Sequence, residues 1–157
     1  MIPTVSLMLN YSGTYKGAWV FKAAPVRDLA KLYRGTLKAA IVRLFLPVYV
    51  IVSLVFVGLF GLQVVPHLVA ALLAAFTYAL ICFKWVVRSI PFSEPFSTAQ
   101  DGGGIRLLPL MLLIGAFGFI HWISTNFDYG IYGYMLLLVL INLLGWKFVF
   151  DKAWATV

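Results

Sequence analysis

The chain has 157 residues, 63% of them hydrophobic and 11% charged, with a mean hydropathy of +1.00. Soluble domains carry roughly 25% charged residues, so a water-soluble globular domain is excluded and the apolar mass divides into membrane spans. Twelve Lys and Arg against five Asp and Glu give a net charge of +7. No basic soluble module or nucleic-acid-binding signature accompanies that charge, which fits anionic inner-leaflet lipid or the acidic face of a protein partner.

In chain order, Met1 to Asn10 are mildly apolar, with no basic region before them and no Ala-x-Ala-type site within a short distance after. A cleaved signal peptide is not predicted, and the abrupt start fits the C-terminal part of a longer protein. From Pro25 the pattern becomes helical. Proline suits the first position of a helix, and Asp28 in the first turn opposes the macrodipole favourably. Arg27, Lys31, Arg34 and Lys38 then recur at intervals of four, three and four, which places them on one stripe. Val26, Leu29, Tyr33 and Leu37 occupy another face. A helix with one basic and one apolar face is predicted to lie in the plane of the membrane interface, so residues 1–38 form an interfacial segment ahead of the spans. Like charges at this spacing repel by a few tenths of a kcal/mol per pair, so the stripe calls for something anionic. Lipid headgroups contribute about 1 kcal/mol per cation; a soluble partner is the other candidate, and one helix can serve both.

Four apolar runs follow, at about 39–61, 64–87, 107–124 and 130–150. Each is near the ~20 residues that cross a ~30 Å hydrocarbon layer as a helix. A helix satisfies its own backbone hydrogen bonds in lipid, whereas a barrel would need alternating strands. The predicted fold is an all-α membrane protein, with a four-helix transmembrane domain over 39–157. All the cations can be placed on one side: the N-terminal set through Arg43, then Lys84, Arg88 and Arg106, then Lys147 and Lys152. The positive-inside rule puts that side in the cytoplasm, with both termini inside. The outer connectors then hold Gln63, Pro66 and His67, and Asp128. Arg43 snorkels to the inner interface, and Trp85, Trp122 and Trp146 fall at span ends, as an aromatic belt requires. The linker 88–106 carries Pro91, Pro95 and the run Gly102-Gly103-Gly104. It reads as a flexible cytoplasmic connector; without a G-x-x-x-x-G-K-[ST] pattern it is not a nucleotide loop.

Catalytic chemistry is hard to find in these residues. His67 and His121 both fall near the outer face and can approach one another across spans two and three. Two imidazoles without a third ligand make a poor zinc site, so they read as interfacial anchors. No carboxylate lies mid-span, which argues against an ion-coupled carrier with an embedded acid. Cys82, the single cysteine, reads as a small buried hydrophobe. Asn142 is expected to make an interhelical hydrogen bond. Gly58, Gly61, Gly115 and Gly118 are expected to permit close helix approach. No enzyme active site, cofactor or metal centre is read.

The run Tyr15-Lys16-Gly17-Ala18-Trp19-Val20-Phe21-Lys22-Ala23-Ala24-Pro25-Val26 resembles a segment of ATP-binding-cassette exporter permeases of the type-2 export class. There an aromatic-rich Trp-x-x-x-x-x-Pro-[Ile/Val] run precedes a basic amphipathic helix that enters a span. Trp19 and Pro25-Val26 match that run, and Arg27, Lys31, Arg34 and Lys38 match its basic continuation. The likeness covers roughly Tyr15 to Leu46. It implies an oligomeric permease component in a bacterial inner membrane, driven by a separate ATPase subunit. The coupling surface would be Trp19, Pro25, Arg27, Lys31, Arg34 and Lys38. This chain departs from the family in its four predicted spans, where such permeases commonly carry six or more. The alternative is a small non-enzymatic membrane scaffold or assembly protein with a lipid-binding basic helix.

Overall fold

The computed structural model describes Leu29 to Val86 and Gly103 to Asp151, together with Ile2 and Lys16. Trp19, Pro25, Arg27 and the linker as far as Gly102 lie outside the described residues. Among those described, every regular element is helical. Helix α1 spans Leu29–Ala40 and passes through a stretch of π-helix, Ile41–Phe45, into α2, Leu46–Phe60. A single 3-10 turn, Leu62–Val64, leads to α3 (Val65–Val86); α4 (Gly103–Ser124) and α5 (Gly130–Asp151) complete the order.

No helix end falls at residues 38 and 39, between the predicted interfacial helix and the first span. Ala40 is itself helical and makes no side-chain cap, so nothing ends α1. The backbone stays helical from Leu29 to Phe60, about 48 Å at 1.5 Å per residue. That exceeds a ~30 Å hydrocarbon layer by several turns, and the basic turns are the end of the same rod. The π-helix has a local cause in Pro47, near the start of α2. Proline donates no hydrogen bond and its ring crowds the carbonyl four residues back, here that of Arg43. Widening the turn relieves the crowding, and Leu46 N–H reaches Ile41 O across five residues.

Three helical stretches are long and apolar enough to cross a membrane: Arg34–Phe60, Leu62–Trp85 and Gly130–Phe148. The apolar part of α4, Leu108–Ser124, is shorter. Helix α4 begins at Gly103, one turn before the expected start at 107, so Gly103 to Arg106 belong to a helix and not to the connector. Glycine costs only about 1 kcal/mol in a helix, and the apolar turns that follow offset it. Pro109 lies inside α4, where its missing donor frees one carbonyl, a defect that membrane helices tolerate.

Helices α3 and α5 form the centre. Ala70, Ala79, Leu80, Cys82 and Phe83 of α3 are buried, as are Tyr134 and Leu138 of α5. Close approach falls to Gly145, where an added Cβ would meet Leu80 Cδ1 at 3.0 Å. Gly58, Gly61, Gly115 and Gly118, expected to serve that purpose, would meet nothing within 4 Å. Their helix faces carry no neighbouring backbone, because the tight contact is made by α3 and α5 instead. At one end of the bundle Leu37 packs with Leu80, Phe83 and Trp146. Lys38 Nζ stands 5.6 Å from the centroid of the Trp146 ring, a cation–π distance. This cluster joins the start of the first helix to the ends of α3 and α5, so Lys38, Lys84 and Lys147 gather at the same end.

The connectors at the other end are tight. Gly61 has φ 75° and ψ −173°, a region open essentially to glycine alone. After α4, Thr125 Oγ1 and Asn126 Nδ2 donate to Trp122 O at 2.6 and 2.9 Å. They add to the Thr125 N–H, which also donates to that carbonyl at 3.2 Å, and close off the helix end.

Candidate functional site

Two features stand out: a cavity among the helices, and the cationic end of the first helix. The cavity has a volume of about 460 Å³. Small side chains of α3 create it. Ala71, Ala74 and Ala75 recur at helical spacing and leave room that Phe117 and Gly118 of α4 only partly fill. Phe45 approaches from the π-helix, and Tyr78, His121 and Tyr134 complete the wall.

The polar groups on this wall sit at distinct places. Tyr78 OH donates to Leu110 O at 3.0 Å, tying α3 to α4. Toward the end of the bundle that carries the short connectors, His67 Nδ1 stands 3.4 Å from His121 Nε2. One of these nitrogens donates while the other accepts. The rings meet edge-on at 5.4 Å, and His121 in turn meets the Tyr134 ring edge-on at 5.8 Å. The histidines expected near one face are thus in contact across α3 and α4. Among the described residues no group of three His, Cys, Asp or Glu side chains is arranged to hold a metal ion. The Tyr134 hydroxyl is buried and has no hydrogen-bond partner among the described residues.

Asn142 makes the interhelical bond expected of it, and more. Its Nδ2 lies 3.0 Å from Leu73 O, 2.9 Å from Thr77 Oγ1 and 2.9 Å from Leu138 O. Thr77 Oγ1 accepts from Asn142 and donates to Leu73 O at 3.1 Å. The amide therefore stitches α5 to α3 at mid-helix. Asn142→Leu is expected to destabilise the folded chain by about 1 kcal/mol, the usual scale for such bonds in membranes. Unfolding in mild detergent measures it, and an unchanged midpoint would show that the network carries no net stability.

On the first helix, Lys31 and Lys38 are exposed and Arg34 is half-buried. These three belong to the predicted stripe, and Lys38 reaches the Trp146 ring. Sequence reasoning missed Tyr49, Tyr78 and Tyr134, to which it gave no role of their own. The available signal was depth: Tyr78 lies well inside an apolar run, and a hydroxyl there needs a partner. Tyr49 finds one in Leu68 O, linking the first helix to α3.

No protein-family model, curated protein or solved structure matches this chain.

Proposed function

We propose that four spans, the rod formed by α1 and α2 and the helices α3, α4 and α5, cross a bacterial inner membrane, with both termini cytoplasmic, and that the chain is the membrane-embedded permease component of an ATP-driven exporter. Helix α4 has 22 residues, about 33 Å in length, which is enough to span. The ATPase is a separate subunit, and it meets the stripe of Lys31, Arg34 and Lys38. The observation that carries this reading is the unbroken helix from Leu29 to Phe60. A rigid rod whose cationic end projects past the hydrocarbon layer converts a push on that end into motion of the span. ATP binding on the partner would move the rod and rock the spans between inward-open and outward-open states. The likeness of Tyr15 to Leu46 to type-2 exporter permeases supplies the identity of the partner.

Reversing two charges, Lys31→Glu with Arg34→Glu, is expected to remove ATP-hydrolysing activity from the eluate of the tagged chain purified from native membranes. Membrane insertion should persist, because the remaining N-terminal cations keep the topology signal. An ATPase that still co-purifies at the unmodified level sinks the coupling role.

A second reading, the non-enzymatic scaffold or assembly protein, is favoured by one observation. Helix α2 contains no buried residue, and apart from the side that meets α3 through Tyr49 most of its surface is open to lipid or to another membrane protein. Binding of the purified chain to anionic vesicles without any ATPase partner would favour this reading.

A further inference from the structure

We propose that the cavity between α3, α4 and α5 binds a neutral amphiphile, an apolar chain bearing one hydrogen-bonding head group such as a long-chain alcohol. The site goes beyond the exporter reading and requires no ATPase. Its volume of about 460 Å³ falls within the range of small-molecule sites. Along most of its length the wall is Ala71, Ala74, Phe117 and Phe45, which suits a hydrocarbon chain. At one end stand Tyr134 and His121.

Tyr134 carries the choice of head group. It is only 6% exposed, it lines the cavity, and its hydroxyl has no partner among the described residues. A buried hydroxyl left unpaired is unfavourable, so an occupant that accepts or donates one hydrogen bond there is preferred to a pure hydrocarbon. A charged head group is disfavoured, because no Lys, Arg, Asp or Glu lies on the cavity wall to compensate its desolvation. The neighbouring His121 is engaged with His67 at 3.4 Å, which holds its ring beside Tyr134. A neutral group with a single hydrogen-bonding function satisfies all three conditions.

The test uses the full chain in lipid nanodiscs and a long-chain alcohol carrying a photoactivatable diazirine, with mass spectrometry to map the adducts. Adducts are expected on α3 and α4 around Ala74 and Phe117. Unlabelled alcohol should compete about fivefold better than the alkane or the ionised fatty acid of equal length, the scale of one hydrogen bond. Tyr134→Phe should bring alcohol and alkane to parity. Gly118→Leu, which puts a side chain into the cavity at a position where an added Cβ meets nothing within 4 Å, should remove the adducts. Equal competition by alcohol and alkane in the unmodified chain overturns the proposal, as does labelling spread evenly over lipid-facing α2. A cavity that holds only water gives one of these two results. The comparison among ligands needs no variant, so a misfolded Tyr134→Phe leaves it decisive. Loss or retention of an ATPase partner affects neither arm.

Discussion

Replacing Gly130 with alanine is expected to disrupt the hairpin between α4 and α5, at a cost of about 3 kcal/mol or more. An alanine Cβ would stand 2.3 Å from Ser124 O and 3.1 Å from Phe127 Cβ. The first contact is with a backbone atom at the end of α4, and no rotamer change can relieve it. The glycine cannot easily shift either, because its N–H donates to Phe127 O at 3.0 Å. Costs of this size belong to a short list of mechanisms, and forced backbone strain is one of them. Gly133→Ala is the control. It lies one turn further along α5 and would meet nothing within 4 Å, so it should change stability by less than about 1 kcal/mol. Thermal unfolding of both variants in the same detergent decides the matter. Equal midpoints would show that the turn relaxes freely and that its geometry is not fixed.

A cysteine placed at Asn126 is expected to react with a membrane-impermeant maleimide added outside intact cells. Cysteines at Lys84 and Lys147 should react only after permeabilisation. The contrast is close to all-or-none, because a residue is on one side of the bilayer or the other. Asn126 lies in the exposed turn after α4, opposite the end where Lys38, Lys84 and Lys147 gather. Native Cys82 is buried against Tyr78 and Leu110, so the unmodified chain supplies the background. The experiment bears directly on α4, whose apolar part is the shortest of the four. Should Asn126 be labelled only from inside, α4 does not cross and the four-span topology fails.

How much of this was legible beforehand depends on the physical signal involved. Runs near ~20 apolar residues announce helices because lipid leaves the backbone no other partner, and Leu62–Trp85 and Gly130–Phe148 emerged where expected. Continuity through Ala40 was not legible. A basic amphipathic segment and an apolar span look like two elements in composition, while the backbone between them holds no breaker. The faces were harder still. In a soluble helix the apolar side marks the core, but lipid is as apolar as a neighbouring helix. Hydrophobicity therefore could not separate Gly145, which meets Leu80, from Gly115, which meets nothing. Polar residues broke that symmetry. Asn142 pointed to its helix–helix contact because an amide in hydrocarbon needs a partner, and Tyr78 and Tyr134 carried the same signal unread. The candidate coupling surface is described only at Lys31, Arg34 and Lys38, so its cavity-side counterpart, not the stripe, is the site that geometry defines best.

The π-helix at Ile41–Phe45 acts as an angular offset within the first rod. In a regular α-helix, Phe45 would lie beneath Lys31 and Lys38, since positions seven apart differ by only ~20°. Instead Lys31 and Lys38 are exposed while Phe45 lines the cavity. One extra residue in a wide turn is worth about 100° of rotation, enough to aim cations and cavity wall in different directions from one stripe. Deleting a single residue there would swing the charged end around the rod while leaving the make-up of both surfaces unchanged. The bearing of the cations relative to the bundle is set by helical pitch.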